Sequence, residues 1–595
     1  MKKWWMESVG YQIYIKSFFD SNNDGIGDLN GIYEKLDYLH LLGINLIWIT
    51  PFYDSPMDDN GYDVRDYLSI ANAYGTIDDF KKVLDKAHSL GIKVILDFVL
   101  NHTSDEHEWF LESRKSVDNP YRDYYIWQPP KYVNGVKREP TNWGSFFGSS
   151  AWKYDEQTNQ YFMKIFSDKM PDLNWENPKV KEAMVNVGKW WLDLGVDGFR
   201  IDAVSHLEKA PFEDSKMGEG IVLDWFKFSN LPKVHDYLHY LYENLFKQYD
   251  AFTIGEVGGE AGIDQATRYA RFGSEELSMV FNFDHNWCNN IHDITDLKDL
   301  KVRVLDLKKA IGKWQNSFKD NGWLPLNWLN HDQPRVVSHY GNLAYHEKSA
   351  KMLANLMYLG RGTPFIYQGE EIGMTSYPFT SPTEFNDIST ITGYNNWVKN
   401  EPDKKDYILK KMGLTSRDNP RTMMQWSSEE FAGFSKVKPW FLVNPNYKEI
   451  NVFDQINDEN SIFSYYQKLI SLRRFSKYKD LITYGSYDML IENDPIIFAY
   501  ERTLNQEKMI VINSFSTNEE SFDLTGYEIE DIIIHNYDKL TIDNNKIILK
   551  PYEAIAIKVK ETKWEQVEYY YIFHHYHLIM VLVLLGKKLI TLLTS

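Results

Sequence analysis

Short apolar runs alternate with amphipathic stretches through about the first 470 residues. The runs Tyr11–Phe18, Asn45–Ile49, Lys93–Val99, Gly198–Asp202, Phe252–Glu256, Met279–Asn282, Leu326–Asn330 and Pro364–Gln368 read as strands. Between them, Gly31–Leu42, Thr76–Leu90, Val180–Leu194 and Leu231–Gln248 carry a helical period. Strand–helix alternation without consecutive hairpins points to a parallel sheet, and eight candidates make a closed (β/α)8 barrel the natural α/β architecture.

The alternation breaks twice. Residues 103–174 are rich in Trp, Tyr, Pro and Gly with little helical period, as expected of a domain inserted after the third strand. Residues 375–451 form a second irregular stretch. The reading is therefore a barrel over 1–102 and 175–477, interrupted by the inserted domain. Short alternating strands (Ile496–Tyr500, Met509–Ile512, Lys546–Leu549, Ala554–Val559) then give an antiparallel C-terminal β-sandwich over 478–560. The tail, 561–595, contains the apolar run Tyr569–Leu585, long enough to cross a bilayer. It reads either as an anchor or, preferably, as an extension foreign to the fold, because Tyr552–Val559 already completes the pattern.

Composition narrows the function. A chain of 595 residues implies more than one core, and 43% hydrophobic with 25% charged residues is globular. The net charge of −19 weighs against nucleic acid and mildly against phosphorylated substrates. Aromatics at 15% suit the apolar faces of sugars, although large cores also use them. The single cysteine, Cys288, permits no internal disulfide, and no apolar stretch follows Lys2-Lys3, so a cytoplasmic protein without a signal peptide is expected.

Four groups at predicted strand ends carry chemistry. In Asp197-Gly198-Phe199-Arg200-Ile201-Asp202, the side chains of Arg200 and Asp202 fall on one side of a strand, and a neighbouring cation favours the ionised carboxylate a nucleophile needs. A buried structural ion pair would look the same. Glu256 ends an apolar strand, where a carboxyl must be solvated, paired or protonated, and a general acid requires the last. Asn330-His331-Asp332 and Asp97-Phe98-Val99-Leu100-Asn101-His102 occupy corresponding positions on strands seven and three. Each alone is compatible with packing; four at the carboxyl face of one barrel point to catalysis.

These segments resemble the four sequence regions of the α-amylase superfamily, most closely its oligo-1,6-glucosidase and α-glucosidase branch, over about Trp4 to Val559. Gly61-Tyr62-Asp63, Pro171–Trp175, Tyr367–Glu371 and Ser416–Asn419 add to the resemblance. It implies a retaining, exo-acting glycoside hydrolase with Asp202 as nucleophile, Glu256 as acid/base and Asp332 as transition-state stabiliser. It further implies that His102, Arg200 and His331 hold the −1 sugar and that Tyr62 is its platform. Asp59 and Arg417 would close the pocket, and Phe147 and Phe166 would form its walls. Ala203 would border the +1 sugar, where a valine in the branch accompanies α-1,6 cleavage and smaller residues accompany α-1,4 activity. Met423 stands where the branch more often has proline.

The run Asp20-x-Asn22-x-Asp24-Gly25-Ile26-Gly27-Asp28 offers hard oxygen ligands suited to Ca²⁺ or Mg²⁺. It begins like an EF-hand, but the twelfth position is Gly31, so a simple Asx-rich turn is also open. The resemblance implies one structural calcium on Asp20, Asn22, Asp24, the Ile26 carbonyl and Asp28, and no organic cofactor. The expected partner is a small oligosaccharide bound by a monomer. Within the fold, trehalose-6-phosphate hydrolase, dextran glucosidase and sucrose isomerase are the alternatives; Asp284–Leu300 lacks the Arg-rich loop of the isomerases. A non-enzymatic transporter heavy chain is disfavoured because all three carboxylates are present.

Overall fold

In the computed structural model, residues 2–258, 261–562, 569–574 and 577–582 are described. Eight strands form the barrel: β1 (Gly10–Ile13), β2 (Leu46–Ile49), β3 (Lys93–Val99), β4 (Gly198–Asp202), β5 (Phe252–Glu256), β6 (Met279–Phe281), β7 (Pro325–Leu326) and β8 (Thr363–Tyr367). All ladders are parallel, in the order β6-β5-β4-β3-β2-β1-β8-β7. β6 and β7 approach each other and complete the ring.

Inward positions change character along the strands. Leu46, Trp48, Ile95, Phe252, Ile254, Met279, Phe281 and Phe365 fill the lower barrel as one apolar cluster. Above them, at the same side-chain period, stand Asp97, Arg200, Asp202 and Glu256. Gly198 permits this layering, because a Cβ there would lie 1.9 Å from the Phe252 carbonyl oxygen.

The outer helices start where the sequence supplies caps. Asp28 accepts from the Gly31 amide to open Leu29–Leu42, Thr76 and Asp79 form a capping box for Ile77–Ser89, and Asn177 with Pro178 opens Pro178–Leu194.

The insertion after β3 contains a helix, Glu108–Ser113, and an antiparallel sheet of Trp127–Gln128, Gln160–Met163 and Trp152–Asp155. Its core includes Trp143, Trp152 and Met163. The backbone bridge His102–Asp172 and the Leu173 amide, which donates to the Asn101 carbonyl at 2.8 Å, tie it to the chain just after β3. Residues 375–451 are more ordered than expected: Ile388–Asn400 and Lys405–Thr415 are helices around Phe379, Phe385, Tyr394 and Ile408. Polar residues at most of their positions dilute the helical period.

After residue 485 the chain forms a five-stranded antiparallel sheet (Asp488–Leu490, Ile497–Leu504, Glu507–Ser514, Ala554–Glu561, Tyr527–His535) and a three-stranded one. The larger sheet packs on the helix His346–Tyr358 that leads into β8. The Tyr500 hydroxyl donates to the Leu356 carbonyl at 2.8 Å, and Asn355 donates to Asn513 at 2.9 Å. Arg502 donates to the carbonyls of Leu359 and Gly485. Of the apolar tail, Tyr569–His574 and His577–Leu582 pair as an antiparallel hairpin; 575–576 and 583–585 lie outside the described residues. Among the described residues no helix is long and apolar enough to cross a membrane.

Candidate active site

The carboxyl ends of the strands open into a cleft of about 900 Å³. Asp59, Tyr62, His102, Phe147, Phe166, Asp202, Ala203, Glu256, His331, Asp332 and Arg417, all singled out in the sequence, line it. Arg200 lies just beneath, fully buried.

Arg200 organises the centre. Its Nη1 donates to Asp97 Oδ1 at 2.5 Å and to Asp202 Oδ1 at 2.6 Å, and its Nη2 donates to Glu256 Oε2 at 2.7 Å. The sequence suggested an Arg200–Asp202 pair; the structure shows one guanidinium shared by three carboxylates. Burial pushes Asp202 above the ordinary carboxylate value, with Glu256 and Asp97 adding to it against the pull of Arg200. Asp97 is pushed up to about 6 by burial, opposed by Arg200 and by the Trp48 indole N–H at 2.6 Å. The two nitrogens of one planar guanidinium thus bind carboxylates from two neighbouring strands.

Asp332 has the opposite environment. Burial alone would raise its pKa, but the guanidinium groups of Arg417 and Arg421 outweigh that and hold it well below the usual range. Arg421 Nη2 lies 2.6 Å from Asp332 Oδ1. Arg417 Nη2 reaches Asp59 Oδ1 at 3.2 Å, and its Nε donates to Asp387 Oδ1 at 2.9 Å. Arg421 and Asp387 were not foreseen. Arg421 follows Arg417 by four residues and was open to notice, whereas Asp387 is brought in only by the folding of residues 375–451.

Burial disfavours the charged form of His102 and His331. Burial, reinforced by Lys209, lowers His102 to about 3; burial also lowers His331 to about 3. His331 Nδ1 faces Gln12 Nε2 at 2.8 Å, and its ring stacks on Tyr62 at 5.3 Å. His102 Nε2 is buried with no partner among the described residues and faces the cleft, as expected of a group reserved for a ligand hydroxyl. Lys209, also unforeseen, ties the insertion to this corner by pairing with Asp172 at 3.0 Å and donating to Asn101 at 2.9 Å. Phe166 packs against His102 at 5.2 Å, and the Arg417 guanidinium lies over Phe147 at 5.3 Å.

Ala203 follows Asp202 with φ 45° and ψ 34°, and its N–H points to Glu256 Oε2 at 3.3 Å. Non-glycine residues seldom adopt this left-handed region, and here it falls between two candidate catalytic groups.

Residues 12–485 match the model of the alpha amylase catalytic domain, and residues 497–556 match the alpha-amylase SusG C-terminal domain. The chain belongs to the alpha-amylase family. It is a glycoside hydrolase. Among its relatives is an oligo-1,6-glucosidase of Bacillus cereus, 47% identical over 94% of this chain and 100% of the relative. Solved structures of this kind include trehalose-6-phosphate hydrolase from Bacillus licheniformis, at TM-score 0.86 and 40% identity. The isomaltulose synthase from Protaminobacter rubrum superposes at TM-score 0.87 and 39% identity. Each comparison covers 94% of this glycoside hydrolase and 100% of the solved chain.

The Asp20–Asp28 loop lies apart from the cleft. Asp20 accepts the amides of Asn23 at 2.7 Å and Gly25 at 2.8 Å, and the Ser435 hydroxyl at 2.6 Å. Asn22 and Asp24 accept from the Asp24 and Ile26 amides. Asp28 accepts from Ser21 and from the Gly31 amide. The loop packs on the segment after Phe434 through the Trp440 amide, which donates to the Gly25 carbonyl at 2.9 Å.

Proposed function

We propose that this glycoside hydrolase releases glucose from the non-reducing end of short α-1,6- and α-1,4-linked oligosaccharides with retention of configuration. The observation that carries the reading is the bridging of Asp202 and Glu256, on adjacent strands, by the two nitrogens of Arg200. In the first step the Asp202 carboxylate attacks C1 of the terminal glucose while Glu256 passes its proton to the departing glycosidic oxygen. In the second, Glu256 takes a proton from water, whose oxygen displaces Asp202 and yields α-glucose. Asp332, held ionised by its cations, faces the positive charge that develops on the sugar. Asp59 with Arg417 closes the glucose end, which supports exo action. The name of the Bacillus cereus relative supports the α-1,6 activity. Glucose release from isomaltose, maltose and trehalose 6-phosphate, compared side by side, tests the reading. Cleavage of trehalose 6-phosphate alone would replace it with the function of the Bacillus licheniformis neighbour.

We also propose that the Asp20–Asp28 loop holds one structural calcium. What supports the reading is a donor set of hard oxygen throughout. Asp20, Asn22, Asp24, the Ile26 carbonyl and Asp28 would hold the ion, which would tie the loop to the barrel without entering the reaction. Chelation should lower the melting temperature before it lowers activity. An unchanged melting temperature after exhaustive chelation would remove the ion from the account.

A further inference from the structure

The cleft extends well beyond the catalytic carboxylates, and its outer wall differs from its floor. Beyond Ala203, the wall facing the departing sugar comes from the turn after β6, Asp284–Trp287, and from the helix Val304–Phe318 behind it. Two features of this wall are unabsorbed by the catalytic reading. Trp287 lines the mouth with its indole 59% exposed. Lys313 faces Asp284, with Nζ 3.2 Å from Oδ2, and the same oxygen accepts the Trp314 indole N–H at 2.8 Å.

Charge assigns the occupant. Arg417 and Arg421 line the glucose end and are committed to Asp59, Asp332 and Asp387. Among the described residues lining the cleft, Lys313 is the remaining full cation, and Asp284 neutralises it. His339, also in the lining, is lowered to about 4 by burial. A phosphate, carrying close to two negative charges, would meet a neutral pair on this wall and a surplus of carboxylates on the floor. A neutral pyranose would instead lay an apolar face on Trp287.

Building on the glucosidase reading, we infer that the leaving-group wall selects a neutral sugar over a phosphorylated one, with Asp284 as the discriminating residue and Trp287 as the platform. Asp284 acts by occupying Lys313, so its effect must depend on that lysine.

The test uses p-nitrophenyl α-glucoside as reporter and compares inhibition by glucose and by glucose 6-phosphate in the full-length protein. The wild type should bind glucose the more tightly. Asp284→Asn keeps an acceptor for Trp314 and frees Lys313; it should shift the ratio of the two inhibition constants towards glucose 6-phosphate by about five- to tenfold. The shift should shrink in high salt. Adding Lys313→Met to Asp284→Asn should abolish it, which a structural role for Asp284 would not produce. An unchanged ratio in Asp284→Asn, or a shift that survives Lys313→Met, overturns the inference. Tighter binding of glucose 6-phosphate than glucose by the wild type overturns it as well. None of these outcomes bears on whether the reporter is hydrolysed, which is where the glucosidase reading itself stands or falls.

Discussion

Asp59 Oδ1 and Arg417 Nη2 meet at 3.2 Å across 358 residues of chain and close one end of the cleft. Burial pushes Asp59 up, and Arg417 and Arg421 oppose it. Charge-assisted bonds to a terminal hydroxyl are worth about 1.5–3 kcal/mol. Asp59→Asn should therefore lower kcat/KM on isomaltose by about 10- to 100-fold while the protein remains folded. Wild-type kinetics in a folded variant would show that the pair does not grip the sugar.

With Asp202 as the proposed nucleophile and Glu256 as the proposed acid/base, retention is the expected outcome. Asp202→Asn should lose about 10⁴-fold in kcat. Glu256→Gln should lose far less on p-nitrophenyl α-glucoside, whose leaving group needs no proton, than on isomaltose. Proton NMR of the first turnover should show α-glucose. An initial β-anomer would require an inverting mechanism and dismiss both assignments.

The pH profile should belong to the carboxylates. His102 and His331, both lowered to about 3, stay neutral through the working range. Asp202 is raised, so its charged form disappears at a higher pH than that of an ordinary carboxyl, and kcat/KM should fall as pH falls through that raised value. The acid limb should lie above 3.8, the ordinary aspartate value, and should keep its position in His102→Asn although the rate drops. A limb that moves with His102 would assign the titration to the histidine.

Linkage preference should respond at Ala203, but the backbone qualifies how. At φ 45° a β-branched side chain is strained, so Ala203→Val should cost activity on every substrate and lower the melting temperature. The informative quantity is the ratio of kcat/KM for isomaltose to that for maltose. One methyl-sized obstruction changes such a ratio by about 1–3 kcal/mol, and the shift should favour isomaltose, whose extra rotatable bond lets the departing sugar swing clear. A loss that is equal for both sugars would leave Ala203 a backbone position only.

The barrel and its carboxyl-end chemistry were legible because both rest on local regularities. Strand period places Arg200 beside Asp202, and apolar runs ending in Asn101-His102, Glu256 and Asn330-His331-Asp332 mark one face. Boundaries were less legible. β1 stops at Ile13, before the expected Phe18, because the chain turns into the 3₁₀ segment Ile15–Ser17. β7 pairs only over Pro325–Leu326, and the Asp332 amide bonds instead to the Asn330 side chain at 2.8 Å. Asp387 and Lys209 carried no such signal, since each gains its role from a partner distant in sequence. The sharing of Arg200 among three carboxylates needs three strands in register at once, and no single segment displays it.

The helix His346–Tyr358 is completed by groups that arrive late. Its Leu356 carbonyl accepts from Tyr500, its Asn355 side chain donates to Asn513, and the Leu359 carbonyl just after it accepts from Arg502. On a ribosome, β8 therefore emerges before the surface that seats the helix in front of it. The outer face of that helix must wait for more than a hundred further residues to be covered, and until then a nascent chain leaves it bare. A chain stopped at residue 485 would contain every residue of the cleft and still expose that helix face, so such a fragment should come out of cells aggregated rather than active.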